Sequence, residues 1–271
     1  MQDQKNINMN VGRVVLAGAG PGDPELITLK LVRALQSADI ILCDRLVHPD
    51  IYRMHARPGV DIVLTGKQGY HPGSVPQSDI TQRMLDEAMA GRTVLRLKGG
   101  DLAFFSNVLD ELEALVQRGI PYELIPGITA ASGASAYAGI PLTGRGYARS
   151  VQFIAFHPST EESEYDRLAG DIESVTKVLY MGAARLMGIL EGLRVRGVAA
   201  SMPVAVVEKA TTHAQRVHVS TLGEAPFAWS GMDFGSPALV IIGRVVALHH
   251  QFSWYEPTEA GTSPYPALPS D

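Results

Sequence analysis

Seven residues near the amino terminus, Gly18-Ala19-Gly20-Pro21-Gly22-Asp23-Pro24, separate an apolar stretch from a helical one. Glycines in such a turn let a ligand approach the main chain, because no Cβ stands in the way. Asp23 suits a helix N-cap and Pro24 the first helical position. Asp44 lies 21 residues beyond Asp23, where a dinucleotide-binding fold places its ribose-binding acid. The match to that fold fails at two points. The third glycine of G-x-G-x-x-G would fall on Asp23, and Pro21 removes an N–H that could face a pyrophosphate. A tight strand-to-helix turn without a ligand also accounts for the glycines.

The elements that position these residues follow from periodicity. Buried strands are expected at 11–20, 40–44, 61–66, 93–101 and 121–127, with helices at 24–39, 78–91 and 107–119 between them. Gly91 and Gly119 fit helix C-terminal stops. Strand and helix alternate, which predicts an α/β fold with a mostly parallel sheet and helices on both faces. The rhythm changes after Pro126-Gly127. The segment 128–139 is rich in small residues suited to close packing against another element or a ligand. Shorter strands follow at 150–157, 176–182, 203–211, 215–222 and 236–246, with one helix at 183–197. These read as a C-terminal mixed-sheet α/β domain. The expected organisation is residues 11–126 and 127–248 as two domains, with 1–10 and 249–271 as flexible tails. The last sixteen residues hold four prolines and no apolar period.

Composition narrows the function. With 271 residues, 46% hydrophobic and 19% charged, the chain has ample core for a globular fold. A net charge of −5 argues against a broad nucleic-acid surface. The single cysteine, Cys43, rules out a disulfide within the chain and any multi-cysteine zinc site, so no metal is expected and a reducing, cytoplasmic setting is. The polar start MQDQKNINMN lacks a signal-peptide pattern, and no apolar run approaches about 18 residues, so no membrane role is expected.

Seven separated segments, in order, resemble the tetrapyrrole methylases and, among them, the uroporphyrinogen-III C-methyltransferases. They are residues 14–47, 66–85 (GKQGYHPGSVPQSDITQRML), 94–101 (VLRLKGGD), 125–153, 178–182 (VLYMG), and 206–217 with 236–246. The resemblance spans about residues 12–248. It implies two α/β domains with S-adenosyl-L-methionine folded into the cleft between them, a homodimer, and methylation of uroporphyrinogen III to precorrin-2 via precorrin-1, the step that begins sirohaem, cobalamin and haem d1 synthesis. Residue by residue, it implies that Pro21, Gly99, Gly100, Asp101, Phe104, Thr129, Ala130, Met181 and Ala210 contact the adenosyl cofactor. It makes Asp44 the catalytic carboxylate and gives Lys67 an acid role, although a lysine facing an octacarboxylate also serves to bind it. Arg45, His71, Asn107 and Arg149 are the implied substrate contacts, and Lys98 and Arg145 lie in or near the same motifs. Local positive charge is needed because the substrate bears eight carboxylates while the chain is acidic.

Three departures from the family pattern are expected to border the cleft. Asn107 stands where the family has arginine, with Ser106, Val108 and Leu109 in place of glycines, which predicts a stiffer and bulkier loop. Cys43 replaces a tyrosine before the acid, and Ala155-Phe156-His157 stands where T-G-H is usual. Two alternatives remain open on the sequence: another methylase of the corrin pathway, or a paralogue that binds adenosylmethionine or a tetrapyrrole with reduced or lost turnover.

Overall fold

A computed structural model describes residues 11–65, 76–156, 162–257 and 264–265. It divides into two compact units: Met1–Thr129 with Pro264–Asp271, and Ala130–Ser263. The division falls close to the boundary expected near residue 126.

Unit 1 runs β1 (Arg13–Gly18), α1 (Leu29–Ser37), β2 (Ile40–Cys43), α2 (Pro49–His55), β3 (Asp61–Leu64), α3 (Gln77–Met89), β4 (Thr93–Lys98), α4 (Val108–Arg118) and β5 (Tyr122–Ile125). Its strands form one parallel sheet in the order β3-β2-β4-β1-β5. Alternation along each strand feeds two cores. Val15, Ala17, Ile41, Leu95 and Leu97 pack with Leu31, Leu35 and Ile51 on the α1/α2 side. Val14, Leu16, Ile40, Leu42 and Val94 pack with Met84, Leu85 and Leu115 on the α3/α4 side. Arg96 and Lys98 share the register of Val94, so the strand geometry sends two cations toward α3 and α4 as well.

The helix expected at 24–39 has two starts. Asp23 does act as a cap, accepting from the Glu25 N–H at 2.8 Å, but it caps a single 3-10 turn, Pro24–Leu26. Ile27 is extended, and Thr28 recaps α1 by accepting from the Leu31 N–H at 3.1 Å. Gly91 and Gly119 take the left-handed conformation expected of helix stops.

Unit 2 contains α5 (Ala130–Ala138), β6 (Ser150–Ala155), α6 (Glu162–Ala169), β7 (Val175–Tyr180), α7 (Leu186–Val195), β8 (Pro203–Glu208), β9 (Arg216–Thr221), α8 (Ala225–Ala228), β10 (Ala238–Ile242) and α9 (His249–Phe252). The sheet order is β6-β7-β10-β8-β9; only β6 and β7 are parallel, so this sheet is mixed. One face packs on α6 and α7 through Leu168, Ile189 and Leu190, the other on α5 through Ala131, Ala134 and Ala138. The small-residue segment is thus a helix laid close on its sheet.

The stretch from residue 249, expected as a tail, begins differently. After α9, the Trp254 indole N–H donates to the Ala136 carbonyl at 2.8 Å and its ring sits 5.2 Å from that of Tyr137. Tyr265 is buried in unit 1 with its ring 6.3 Å from the His48 ring. Isolated aromatic anchors leave no periodic trace in a proline-rich sequence.

Candidate active site

The strands of unit 1 all end at the same edge, and in an open parallel sheet ligands bind outside the carboxyl ends of the strands. The loops after β1, β4 and β5 meet there through glycines. Gly20 and Gly100 exchange main-chain hydrogen bonds, N–H to O at 3.1 and 2.8 Å. A Cβ on Gly18 would lie 2.6 Å from the Gly100 oxygen and 2.8 Å from the Gly127 nitrogen, so only hydrogen fits. Asp101 fixes this arrangement with its side chain: Oδ1 accepts from the Ala103 N–H at 2.7 Å and Oδ2 from the Gly127 N–H at 2.8 Å. Pro21 is buried in the first loop, Gly99 and Gly100 are half-buried in the second, and Thr129 is buried just beyond the third. Phe104 is exposed. The edge therefore offers main-chain groups with few side chains in front of them, beside one exposed aromatic ring.

Asp44 follows β2 at the same edge. Arg96 NH2 donates to its Oδ1 at 2.5 Å, and the Thr65 hydroxyl, just after β3, donates to the same oxygen at 3.0 Å. Behind it lies a buried network. Arg96 Nε donates to Glu111 Oε1 at 2.9 Å, and Lys98 Nζ lies 3.0 and 3.1 Å from the two Glu111 oxygens. Gln77 on α3 donates to Glu111 Oε1 at 3.0 Å. Arg96 NH1 is also shared between the Leu42 and Leu97 carbonyls at 3.2 and 3.3 Å. The Arg96 and Glu111 side chains are 0% exposed and Lys98 is 3%, whereas Asp44 retains 23%. Burial alone would lower the Arg96 pKa, but Asp44 and Glu111 outweigh it and hold the guanidinium above its ordinary value. Burial, and then the neighbouring Arg96 charge, push the Lys98 ammonium below its ordinary value. Two cations and two carboxylates thus balance inside the α3/α4 core, and one carboxylate reaches the surface.

These contacts place several of the expected residues. Lys98 does not face solvent as a carboxylate-binding cation; it is spent on Glu111. Arg45 is largely buried in the turn after Asp44, and burial lowers its pKa. Of the three departures expected to border a cleft, two are core residues. Cys43 is fully buried on the α1/α2 side, and Phe156 is buried against Tyr165 with ring centroids 5.6 Å apart. Asn107 is exposed. It precedes α4 at φ 53°, ψ 34°, a left-handed conformation that asparagine tolerates better than most residues. Val108 and Leu109 belong to the first turn of α4, so the bulk expected in the loop sits on the helix instead. Lys67, His71 and His157 lie outside the described residues.

The Cys43 environment carries a prediction. Burial, then the adjacent Asp44 charge, raises the thiol far above its ordinary value, so almost no thiolate exists near neutrality. A thiol reagent at pH 8 should leave native protein unlabelled and label one thiol per chain once it is denatured; rapid labelling of native protein would contradict the burial.

In unit 2, Met181 follows β7 at φ 60° with 60% of its surface exposed. A non-glycine residue held in that conformation with an exposed apolar side chain is a common mark of a functional position. Next to it, Tyr180 Oη accepts from the Ala131 N–H at 3.1 Å, which ties the end of β7 to the start of α5, where Ala130 is half-buried. Ala210 is buried between Lys209 and Thr211, both at positive φ. Arg149 is exposed and lines a shallow hollow with Thr143, Gly144, Arg145, Gly146 and Ala148. Unit 1 therefore brings together Pro21, Asp44, Gly99, Gly100 and Asp101, while Ala130, Met181, Ala210 and Arg149 belong to unit 2.

The sequence profile of the tetrapyrrole (corrin/porphyrin) methylases matches residues 13–226. The chain belongs to the tetrapyrrole methylase family. Among solved structures, it resembles uroporphyrin-III C-methyltransferase from Thermus thermophilus at 34% identity and a TM-score of 0.74, over 90% of this chain and 98% of that one. The same enzyme complexed with S-adenyl homocysteine gives a TM-score of 0.72 over 88% of this chain and 100% of that one, also at 34% identity. A cobalt precorrin-4 methyltransferase of cobalamin biosynthesis aligns with a TM-score of 0.76 at 25% identity, over 86% of this chain and 95% of that one. Curated relatives include siroheme synthase 2 of Klebsiella pneumoniae, 46% identical over 246 residues, and siroheme synthase of Salmonella typhimurium, 48% identical over 249 residues. These alignments cover 90% of this chain and 52% of each relative, so the chain spans about half the length of the curated relatives it matches. The two-unit α/β architecture, one mostly parallel sheet and one mixed, is that of the tetrapyrrole methylases. No helix among the described residues is long and apolar enough to cross a membrane, and no cluster of three metal-binding side chains occurs among them.

The residues that sequence reasoning passed over are Arg96, Glu111, Thr65 and Gln77. The available signal was charge inside an apolar strand: TVLRLKGG alternates buried leucines with an arginine and a lysine, and buried cations need partners.

Proposed function

We propose that this tetrapyrrole methylase transfers methyl groups from S-adenosyl-L-methionine to pyrrole carbons of uroporphyrinogen III, giving precorrin-2 via precorrin-1 and releasing S-adenosyl-L-homocysteine. The observation that carries the reading is the carboxyl edge of the unit 1 sheet, where glycine-lined loops stand beside one part-exposed carboxylate, Asp44. The 34% identity with the Thermus thermophilus enzyme supports the choice of substrate. Pro21, Gly99, Gly100, Asp101, Phe104 and Thr129 from unit 1, and Ala130, Met181 and Ala210 from unit 2, are the proposed cofactor contacts. Main-chain N–H and C=O groups at the glycines suit the polar parts of the cofactor, and Phe104 and Met181 offer it apolar surface.

When bound, the sulfonium supplies an electrophilic methyl group. The chain contributes alignment of donor and acceptor, which lowers the barrier by several kcal/mol. As the new carbon–carbon bond forms, the pyrrole ring becomes cationic, and its proton must leave. Asp44 accepts that proton or holds negative charge beside the cationic ring. Lys67 serves as an acid or as a partner for a substrate carboxylate. Arg45, His71, Asn107 and Arg149 meet the remaining carboxylates, for which guanidinium groups are well shaped. The enzyme acts in the cytoplasm as a homodimer. Incubation with methyl-labelled adenosylmethionine and enzymatically prepared uroporphyrinogen III is expected to move label into the tetrapyrrole. Binding of both compounds without transfer would replace this reading with that of a non-catalytic paralogue.

The paralogue reading draws on Asn107, which stands where the family has arginine. Asn107→Arg is expected to lower the KM for uroporphyrinogen III about tenfold, the effect of one added charge-assisted hydrogen bond. Steady-state kinetics at fixed adenosylmethionine would read it. The left-handed backbone at 107 costs arginine roughly 1 kcal/mol, so a thermal melt belongs beside the kinetics. An unchanged KM would mean that the missing arginine is not what sets substrate affinity.

A further inference from the structure

Arg96 is held by every nitrogen it has: Nε by Glu111, NH1 by two main-chain carbonyls, NH2 by Asp44. Its neighbours on the same sheet face are Leu42 and Val94, and an apolar residue would pack there without desolvating any charge. Buried ion pairs are poor stabilisers compared with apolar packing, so four buried or half-buried charges call for another reason. The reason is visible in the exposures: Arg96, Glu111 and Lys98 are sealed, and Asp44 alone reaches solvent. Among the described residues, both side-chain bonds to Asp44 land on Oδ1.

Resting on the reading that Asp44 is the catalytic carboxylate, we infer that Arg96 is a positioning residue for methyl transfer. It fixes the Asp44 carboxylate by its Oδ1, while Glu111 and Lys98 form the charge-balancing pair that makes a buried arginine tolerable. Thr65 provides the second bond to Oδ1. The groups that face this carboxylate and guanidinium are Cys43 at the end of β2, Thr65 after β3, Lys98 on β4 and Glu111 on α4, with Gln77 on α3 bonded to Glu111 behind them. Of these, Cys43 stays neutral, so Arg96, Lys98 and Glu111 set the local field at Asp44.

Arg96 and Glu111 make opposite predictions. Arg96→Lys loses the fork that grips Oδ1 and should raise the acidic limb of the kcat–pH profile by about one unit. Glu111→Gln keeps the shape, and its amide oxygen still accepts from Arg96 and Lys98, but it removes a like charge; the limb should fall by about half a unit. Affinity for S-adenosyl-L-homocysteine, read by calorimetry, should stay within about threefold in both. The same two shifts should appear in the carboxyl carbon titration of Asp44 in carbon-13-labelled protein, with Asp44→Asn supplying the assignment, so the inference is testable without turnover. If neither variant moves the limb or the titration, Arg96 is structural and the inference fails, even with Asp44→Asn inactive. If Asp44→Asn turns over normally, the reading beneath it fails first, and Arg96 loses its role in the reaction with it.

Discussion

Asp44→Asn is expected to slow methyl transfer to uroporphyrinogen III about a thousandfold while S-adenosyl-L-homocysteine still binds. A positioned carboxylate that takes a proton or faces a developing cation contributes between about a hundredfold and ten-thousandfold. Asparagine preserves the shape and can still accept from Arg96 and Thr65, so the loss isolates the charge. The substitution also leaves the Arg96, Lys98 and Glu111 cluster with one uncompensated positive charge, which costs about 1–3 kcal/mol of stability. Activity is therefore to be compared below the melting transition, with single-turnover transfer of labelled methyl as the readout. A fall of less than about tenfold would remove Asp44 from the chemistry and leave it as a partner of Arg96 alone.

Gly127→Ala should be among the most damaging single methyls in unit 1. Its Cβ would fall on the Gly100 carbonyl oxygen and lie 2.8 Å from both the carbonyl carbon and oxygen of Gly18. All the obstructing atoms are main chain, so no rotamer relieves the clash, and the loops after β1, β4 and β5 must separate. Overpacking of this kind costs about 3 kcal/mol, which lowers the melting temperature of a unit this size by roughly 8 °C. Separation of the loops also breaks the Asp101 bond to the Gly127 N–H, on which the proposed cofactor contacts depend. Affinity for S-adenosyl-L-homocysteine should fall at least a hundredfold. Gly59→Ala is the control: a Cβ there meets nothing within 4 Å, so it carries no clash, although its positive φ adds a backbone strain that Gly127 lacks. Equal damage from both would contradict a clash specific to the crowded sheet edge.

Much of this architecture is legible in the sequence because parallel strands buried on both faces are continuous apolar runs, and each helix of unit 1 that pairs them has a strong stripe or a glycine stop. Five helices among the described residues, α2, α5, α6, α8 and α9, escape the sequence pattern, two of them for definite reasons. Pro49–His55 is short and capped by His48, whose Nδ1 accepts from the Asp50 N–H at 3.2 Å, an unusual cap for a pattern search to find. Ala130–Ala138 has small residues all round, so it shows no contrast between faces. The site divides in the same way. The glycine loops and Asp44 are visible as local motifs. The network behind Asp44 is not, because Arg96 and Glu111 lie 15 residues apart on a strand and a helix, and only the fold makes them neighbours. The strand text shows that Arg96 and Lys98 need partners; it does not say which carboxylates provide them. For the same reason Lys98 passes in the sequence for a substrate-binding cation.

A crystal structure of the protein with S-adenosyl-L-homocysteine bound tests the central claim most directly. The ligand should lie against the main chain of Gly99–Asp101 and the Pro21 turn, with its sulfur on the side of the sheet edge that carries the Asp44 carboxylate. Ligand bound away from these loops, or a sulfur separated from Asp44 by more than a tetrapyrrole ring could span, would contradict the account.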